Sequence, residues 1–219
     1  WHLLGNHLFS NAKALVFAGA FFEGPEADRW HATGEAILGR ELPEQVLGDG
    51  GHSERSPMYH ALAFEDVLDL INLARAYPGV LAEPAVDSCA ARAPLMRRWL
   101  HLLCHPDGEI AFFNDAAIGV AASPTELGAY ADRLGMAAPA SPRPVEHLAE
   151  SGYIRVTLGE GVAMIDVAPL GPDYLTAHAH ADTLSFEWSL HGQRVLVNSG
   201  TSAYGSGAQR QQERGTAAH

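Results

Sequence analysis

Tyr153-Ile154-Arg155-Val156-Thr157-Leu158-Gly159-Glu160-Gly161-Val162-Ala163-Met164-Ile165-Asp166-Val167 decides the fold class. β-branched and aromatic residues recur with a period of two on both sides of Gly159-Glu160-Gly161, whose glycines suit a tight turn, so the stretch predicts a β-hairpin. Leu184 to Leu190 and Gln193 to Asn198 repeat the pattern around His191-Gly192. The carboxy-terminal third is therefore antiparallel β. Towards the amino terminus, Met136 to Val145 holds three prolines and several alanines and reads as extended linker. Before it the apolar spacing becomes helical. Leu4, Leu8, Leu15 and Phe22 recur at helical intervals within a helix expected over Leu3 to Phe22. Further helices fit Pro25 to Gly39, Met58 to Tyr77 (closed by Pro78-Gly79), Val86 to Cys104 (closed by Pro106-Asp107-Gly108) and Pro124 to Leu134, with a Gly-, Asp- and Ser-rich loop over Leu47 to Pro57. Helices first and strands afterwards make an α+β multidomain chain, divided as 1–135, a linker over 136–150, and 151–219.

The chain has 219 residues, 14 basic and 26 acidic side chains and a formal net charge of −12. Duplex binders draw affinity from a surplus of Lys and Arg, so the charge argues against nucleic acid and against an anionic membrane surface. The apolar stretch from Ala14 to Phe22 is too short to span a bilayer. The chain opens at Trp1 inside a helical pattern and stops at His219 without a cap, so a piece of a longer protein is expected, one not assured of folding or acting alone. Cys89 and Cys104 lack metal-ligand spacing and read as reduced, buried thiols. No feature specifies an oligomeric state.

Twelve histidines point to acid–base or metal chemistry. In Ala177-His178-Ala179-His180-Ala181-Asp182, residues two apart share a face of an extended chain, so His178, His180 and Asp182 can converge. A solvated strand face is the plain alternative. The binuclear zinc hydrolase pattern HxHxDH is a poor match, because Thr183 stands where it needs a histidine. A second polar segment, Asp49 to His60, feeds the start of the third helix and contains Glu54, Arg55 and Tyr59, and a third, Asn6-His7, lies in the first helix.

Taken in order, Asn6-His7 with Asn11 to Leu15, Asp49 to Tyr59, His178 to Phe186 and Leu196 to Tyr204 resemble the heparinase II/III-like polysaccharide lyases, which include alginate lyases and heparan-sulfate lyases. The resemblance implies an incomplete (α/α) toroid followed by an antiparallel β-sandwich. It implies an acidic, uronate-containing polysaccharide as substrate and a periplasmic or secreted location. Such lyases remove the weakly acidic C5 proton beside a carboxylate and expel the C4 oxygen, so they need carboxylate neutralisation, a base and an acid. The resemblance assigns neutralisation to Asn6 and His7, acid or base to Tyr59, and base to His178. Tyr204 is a further catalytic candidate. Glu54, Arg55, Arg210 and Arg214 lie in or near the matched segments, and arginine's planar fork suits carboxylate or sulfate.

The resemblance also implies a structural zinc, which maps to His180, Asn198 and His219. Asn198 stands where the family generally has Asp, and an amide oxygen is a poorer zinc ligand than a carboxylate. The alternative to catalysis is a glycan-binding or polysaccharide-assembly protein of the same fold.

Overall fold

A computed structural model describes residues 4–171 and 176–219. Five helices come first: α1 (Asn6–Phe21), α2 (Pro25–Gln45), α3 (Pro57–Ala76), α4 (Glu83–Leu102) and α5 (Pro124–Arg133). A five-stranded antiparallel sheet follows, in the order β1 (Val145–Leu148), β2 (Tyr153–Leu158), β3 (Gly161–Asp166), β4 (Phe186–Leu190) and β5 (Gln193–Leu196), and then a short α6 (Ala208–Arg214). The α+β order matches the sequence reading. Leu3 lies outside the described residues.

The helix starts obey local rules. Proline stands in the first turn of α2, α3, α4 and α5, where its missing N–H costs nothing. Ser123 and Glu126 close a capping box on α5, and Ser56 caps α3 by accepting the N–H of Tyr59 at 3.2 Å. At Gly34, where α2 crosses α1, a Cβ would lie 2.7 Å from the carbonyl oxygen of Ala12, so glycine permits that approach.

Four expectations need correction. α2 continues past Gly39 to Gln45, carrying Pro43 inside it, because Leu38, Leu42 and Gln45 are buried on its inner face. β1 falls inside the expected linker. It pairs with β2, and its Glu146 is buried under Arg98 and Arg143. β4 begins at Phe186 rather than Leu184, whose φ of 73° is incompatible with an extended strand. β5 ends at Leu196 rather than Asn198.

Two apolar cores hold the molecule together. The larger lies among the helices and includes Met58, Phe64, Val67, Leu68 and Met96. The smaller joins the end of α4 and the loop after it to the sheet, through Trp99, Leu102, Phe113, Leu148, Tyr153 and Met164. Trp99 is the centre of that junction. It is fully buried, packs edge-on against Tyr153 at 5.7 Å and donates Nε1–H to Ser151 Oγ at 2.8 Å. Asp49, in the loop before α3, accepts three hydrogen bonds from the backbone of Glu150 and the backbone and side chain of Ser151, 2.7–3.0 Å long. The sheet is thus latched to the loop that leads to Tyr59. Cys89 and Cys104 are free and buried, and burial pushes both thiols up to about 12.

Candidate active site

The site forms where the start of α3 meets the turn carrying His178. Tyr59 sits on the first turn of α3, and its ring lies against the His178 imidazole with centroids 4.0 Å apart. Its phenol oxygen is 3.0 Å from that of Tyr204, which is exposed and also lies edge-on to His178. Burial raises the Tyr59 pKa well above the usual phenol range, helped by the bond to Tyr204 and by the carboxylates of Asp115 and Glu54. Tyr59 is therefore a neutral phenol at physiological pH, able to donate a proton.

Asp115, in the loop between α4 and α5, organises the histidines. Its carboxylate is fully buried and meets His178 Nδ1 at 2.8 Å, His180 Nε2 at 2.8 Å and both terminal nitrogens of Arg210, Nη2 at 2.7 Å. Burial alone would raise its pKa, but the hydrogen bonds from His178, His180 and Arg210 outweigh burial and hold it far below the ordinary carboxylate range. Asp115 is ionised in the fold.

The other ring nitrogen of His178, Nε2, faces Glu54 Oε2 at 3.7 Å. Glu54 is buried; its Oε1 accepts the backbone N–H of Asn6 at 3.1 Å, while its Oε2 has no hydrogen-bond partner. The amino end of α1 is thereby tied to the site through Glu54. His52 lies beneath, pushed down to about 4 chiefly by burial, so it is neutral; its Nδ1 accepts the N–H of Glu54 at 3.3 Å and its Nε2 donates to Gln45.

Asn6 and His7 stand at the amino end of α1, which Glu54 ties to the site. His7 is exposed on α1, and the Asn6 side-chain oxygen is buried without a partner. Two of the three arginines serve the scaffold. Arg210 is buried and committed to Asp115, Thr201 Oγ1 and the carbonyl of Ala177, with its guanidinium 5.4 Å from the Tyr204 ring. Arg214 donates to the carbonyls of Ala179 and Thr176, clamping the histidine turn from its other side. Arg55 donates to the carbonyl of Pro169 at 3.0 Å. Arg210 and Arg214 are thus held by this chain's own oxygens, whereas Arg55 makes one such bond and its Nε is buried without a partner.

The convergence of His178, His180 and Asp182 also needs correction. The histidines meet at Asp115, whereas Asp182 Oδ2 accepts the N–H of Asn114 at 2.6 Å. The segment is a turn rather than a strand, so the alternation rule does not govern it.

Among the described residues no group of three or more His, Cys, Asp or Glu side chains is placed to hold a metal ion. His180 Nδ1 and His219 Nε2 are 3.3 Å apart. That equals the roughly 3.3 Å between two nitrogens on a tetrahedral zinc with bonds of about 2.0–2.1 Å. Asn198 Oδ1, however, faces the other nitrogen of His219, Nδ1, at 3.2 Å. Two imidazoles and a neutral amide turned to the far side of one of them do not fit a complete structural zinc site.

Helices here lead into an antiparallel sheet, with tyrosine and histidine meeting at their junction. Family models described as heparinase II/III N-terminus, over residues 1–128, and heparinase II/III-like, C-terminal, over residues 140–219, both match, and the chain belongs to this family. A heparin-sulfate lyase of Bacteroides stercoris is 42% identical over 74 residues, which cover 33% of this chain and 11% of that protein. FtsZ-localized protein C of Caulobacter vibrioides is 27% identical over 199 residues, 90% of this chain and 32% of that protein. The crystal structure of heparinase III matches with a TM-score of 0.81 at 21% identity, over 98% of this chain and 38% of that chain. A mutant of the heparan sulfate lyase of Pedobacter heparinus matches with a TM-score of 0.74 at 22% identity, over 98% and 36%. The chain thus spans little more than a third of these structures and an ninth to a third of the curated relatives.

Proposed function

We propose that this chain carries the catalytic centre of a polysaccharide lyase that cleaves uronic-acid-containing glycans by β-elimination, with helices that form part of an (α/α) toroid and strands that open a β-sandwich. A periplasmic or secreted location goes with that reading. The observation that carries it is the meeting of Tyr59, Tyr204 and His178, with the phenols 3.0 Å apart and the imidazole 4.0 Å from the Tyr59 ring.

The chemistry follows from the protonation states. With Nδ1–H donated to the ionised Asp115, a His178 ring acting as base carries its lone pair on Nε2, on the side of Glu54. Nε2 takes the C5 proton. Tyr59, held neutral by its surroundings, gives its proton to the departing C4 oxygen, and Tyr204 stands ready to return one to it. Asn6 and His7, near the amino end of α1, neutralise the uronate carboxylate as C5 becomes enolate-like, and the buried Glu54 ties that end of α1 to the site. No step passes through a metal. A zinc at His180 and His219 would only brace the histidine turn. Incubation of the intact protein with alginate, heparosan and heparan sulfate, followed by ultraviolet absorbance of the unsaturated uronate, tests the proposal; no absorbance from any of these polymers refutes it.

A second reading is a non-catalytic glycan-binding or polysaccharide-assembly protein of the same fold. The chain matches FtsZ-localized protein C, whose name states no lyase activity, over 90% of its length against 33% for the Bacteroides lyase. Glycan binding without turnover, unchanged in Tyr59 and His178 variants, would decide for it.

A further inference from the structure

We propose that Asp115 is the positioning residue of this site, fixing the His178 ring in the tautomer and orientation that leave Nε2 as the base. The proposal rests on the lyase reading for what the base does, but its geometry stands independently.

Asp115 holds His178 at two points. Its backbone N–H donates to the carbonyl of His178 at 3.0 Å, and its carboxylate accepts from His178 Nδ1 at 2.8 Å. Backbone and ring are thus fixed by one residue. The carboxylate accepts only, so Nδ1 must carry the proton and the lone pair of the neutral ring must lie on Nε2. The same residue reaches the acid. The carbonyl of Asp115 accepts the hydroxyl proton of Ser56, and Ser56 caps the helix turn from which Tyr59 projects. Base and acid are therefore registered against one another through a single buried residue.

The position is itself locked. Asn114 adopts a left-handed φ of 56°, which asparagine tolerates. Its N–H donates to Asp182 and its side-chain amide to the carbonyl of Arg55, while its Oδ1 accepts the N–H of His180. Arg210 closes the remaining side of the carboxylate with a two-pronged contact and balances its charge. Asp115 has no exposed surface and so does not touch a polymer substrate. It acts through His178, as a carboxylate behind a metal- or proton-bearing histidine commonly does, at about 10–100-fold in activity.

The test uses the full-length protein with ¹⁵N-labelled histidine. Ring-nitrogen spectra, with the His178 signals assigned by their loss in H178Q, are expected to show a protonated Nδ1 and a bare Nε2. Asp115→Asn is expected to lower kcat about 10–100-fold with KM nearly unchanged and to disturb that tautomer. A purely structural role would lower the yield of folded protein and leave kcat per folded molecule alone. A His178 proton on Nε2 overturns the proposal even if D115N does not fold, and a folded D115N with parental kcat overturns it too. A parent protein that cuts no uronate polymer while showing the expected tautomer refutes the lyase reading and upholds the positioning geometry.

Discussion

Asp166, at the end of β3, makes stability depend on pH in the direction opposite to most carboxylates. It is 2% exposed, and burial, with the nearby charge of Asp182, pushes it from 3.8 up to about 7; the N–H of Ala168 at 2.7 Å and the charge of Arg55 work against that rise. The folded state therefore binds the proton more tightly than the unfolded chain. The stability it confers is full below about pH 4 and is lost as pH climbs towards about 7. Roughly three pH units at 1.36 kcal/mol each set the loss at about 4 kcal/mol at most. Asp166→Asn copies the protonated side chain and can keep the Ala168 contact through its Oδ1, so it removes the penalty without changing volume. Melting curves of parent and variant, followed by circular dichroism, should coincide within about 2 °C near pH 4 and separate with rising pH. At pH 8 the variant should melt higher by up to about 8–15 °C, taking 2–4 °C per kcal/mol for a chain of this size. Curves that stay parallel from pH 4 to pH 8 would refute the assignment of a buried, protonated carboxyl.

Trp99→Phe should cost about 2–3 kcal/mol, from the lost bond to Ser151 and the space left in the junction core, and lower the melting temperature by about 4–10 °C. Fluorescence and circular dichroism should report that loss together. Asn198→Asp places a carboxylate on His219 Nδ1, where it accepts that N–H and makes Nε2 a better donor to a zinc shared with His180 Nδ1; it should raise the zinc that co-purifies, measured by inductively coupled plasma mass spectrometry, together with a melting temperature that falls on chelation. Equal zinc in parent and variant would show that the amide already suffices.

The sequence displays those elements whose side chains alternate or repeat. β2 was expected with its observed bounds, because hydrophobic alternation and the glycines after Leu158 agree there. β1 was missed because Val145-Glu146-His147-Leu148 follows three prolines, and its buried Glu146 is satisfied by arginines from elsewhere. α6 was missed because Gln209 to Arg214 is polar throughout; its buried member is Arg210, anchored by charge rather than by an apolar stripe. Tyr59 and His178 were legible through wording shared with a family. Asp115 was not, since the aspartate in Phe113-Asn114-Asp115 acquires its partners only when a turn 63 residues and a helix 95 residues away in sequence close around it. An Asn-Asp pair between aromatic and small residues was a local signal for a left-handed turn, but nothing marked its carboxylate as a hub.

Tyr59 offers the most direct test of the central claim. Replacing it with phenylalanine removes one oxygen from a ring already packed against His178 and so leaves the core intact, while removing the proton meant for the leaving oxygen. In the intact protein, initial rates of unsaturated uronate formation from a polymer that the parent cleaves should fall at least about 100-fold in Tyr59→Phe, at an unchanged melting temperature. A Tyr59→Phe enzyme that releases unsaturated product at the parental rate would contradict the account.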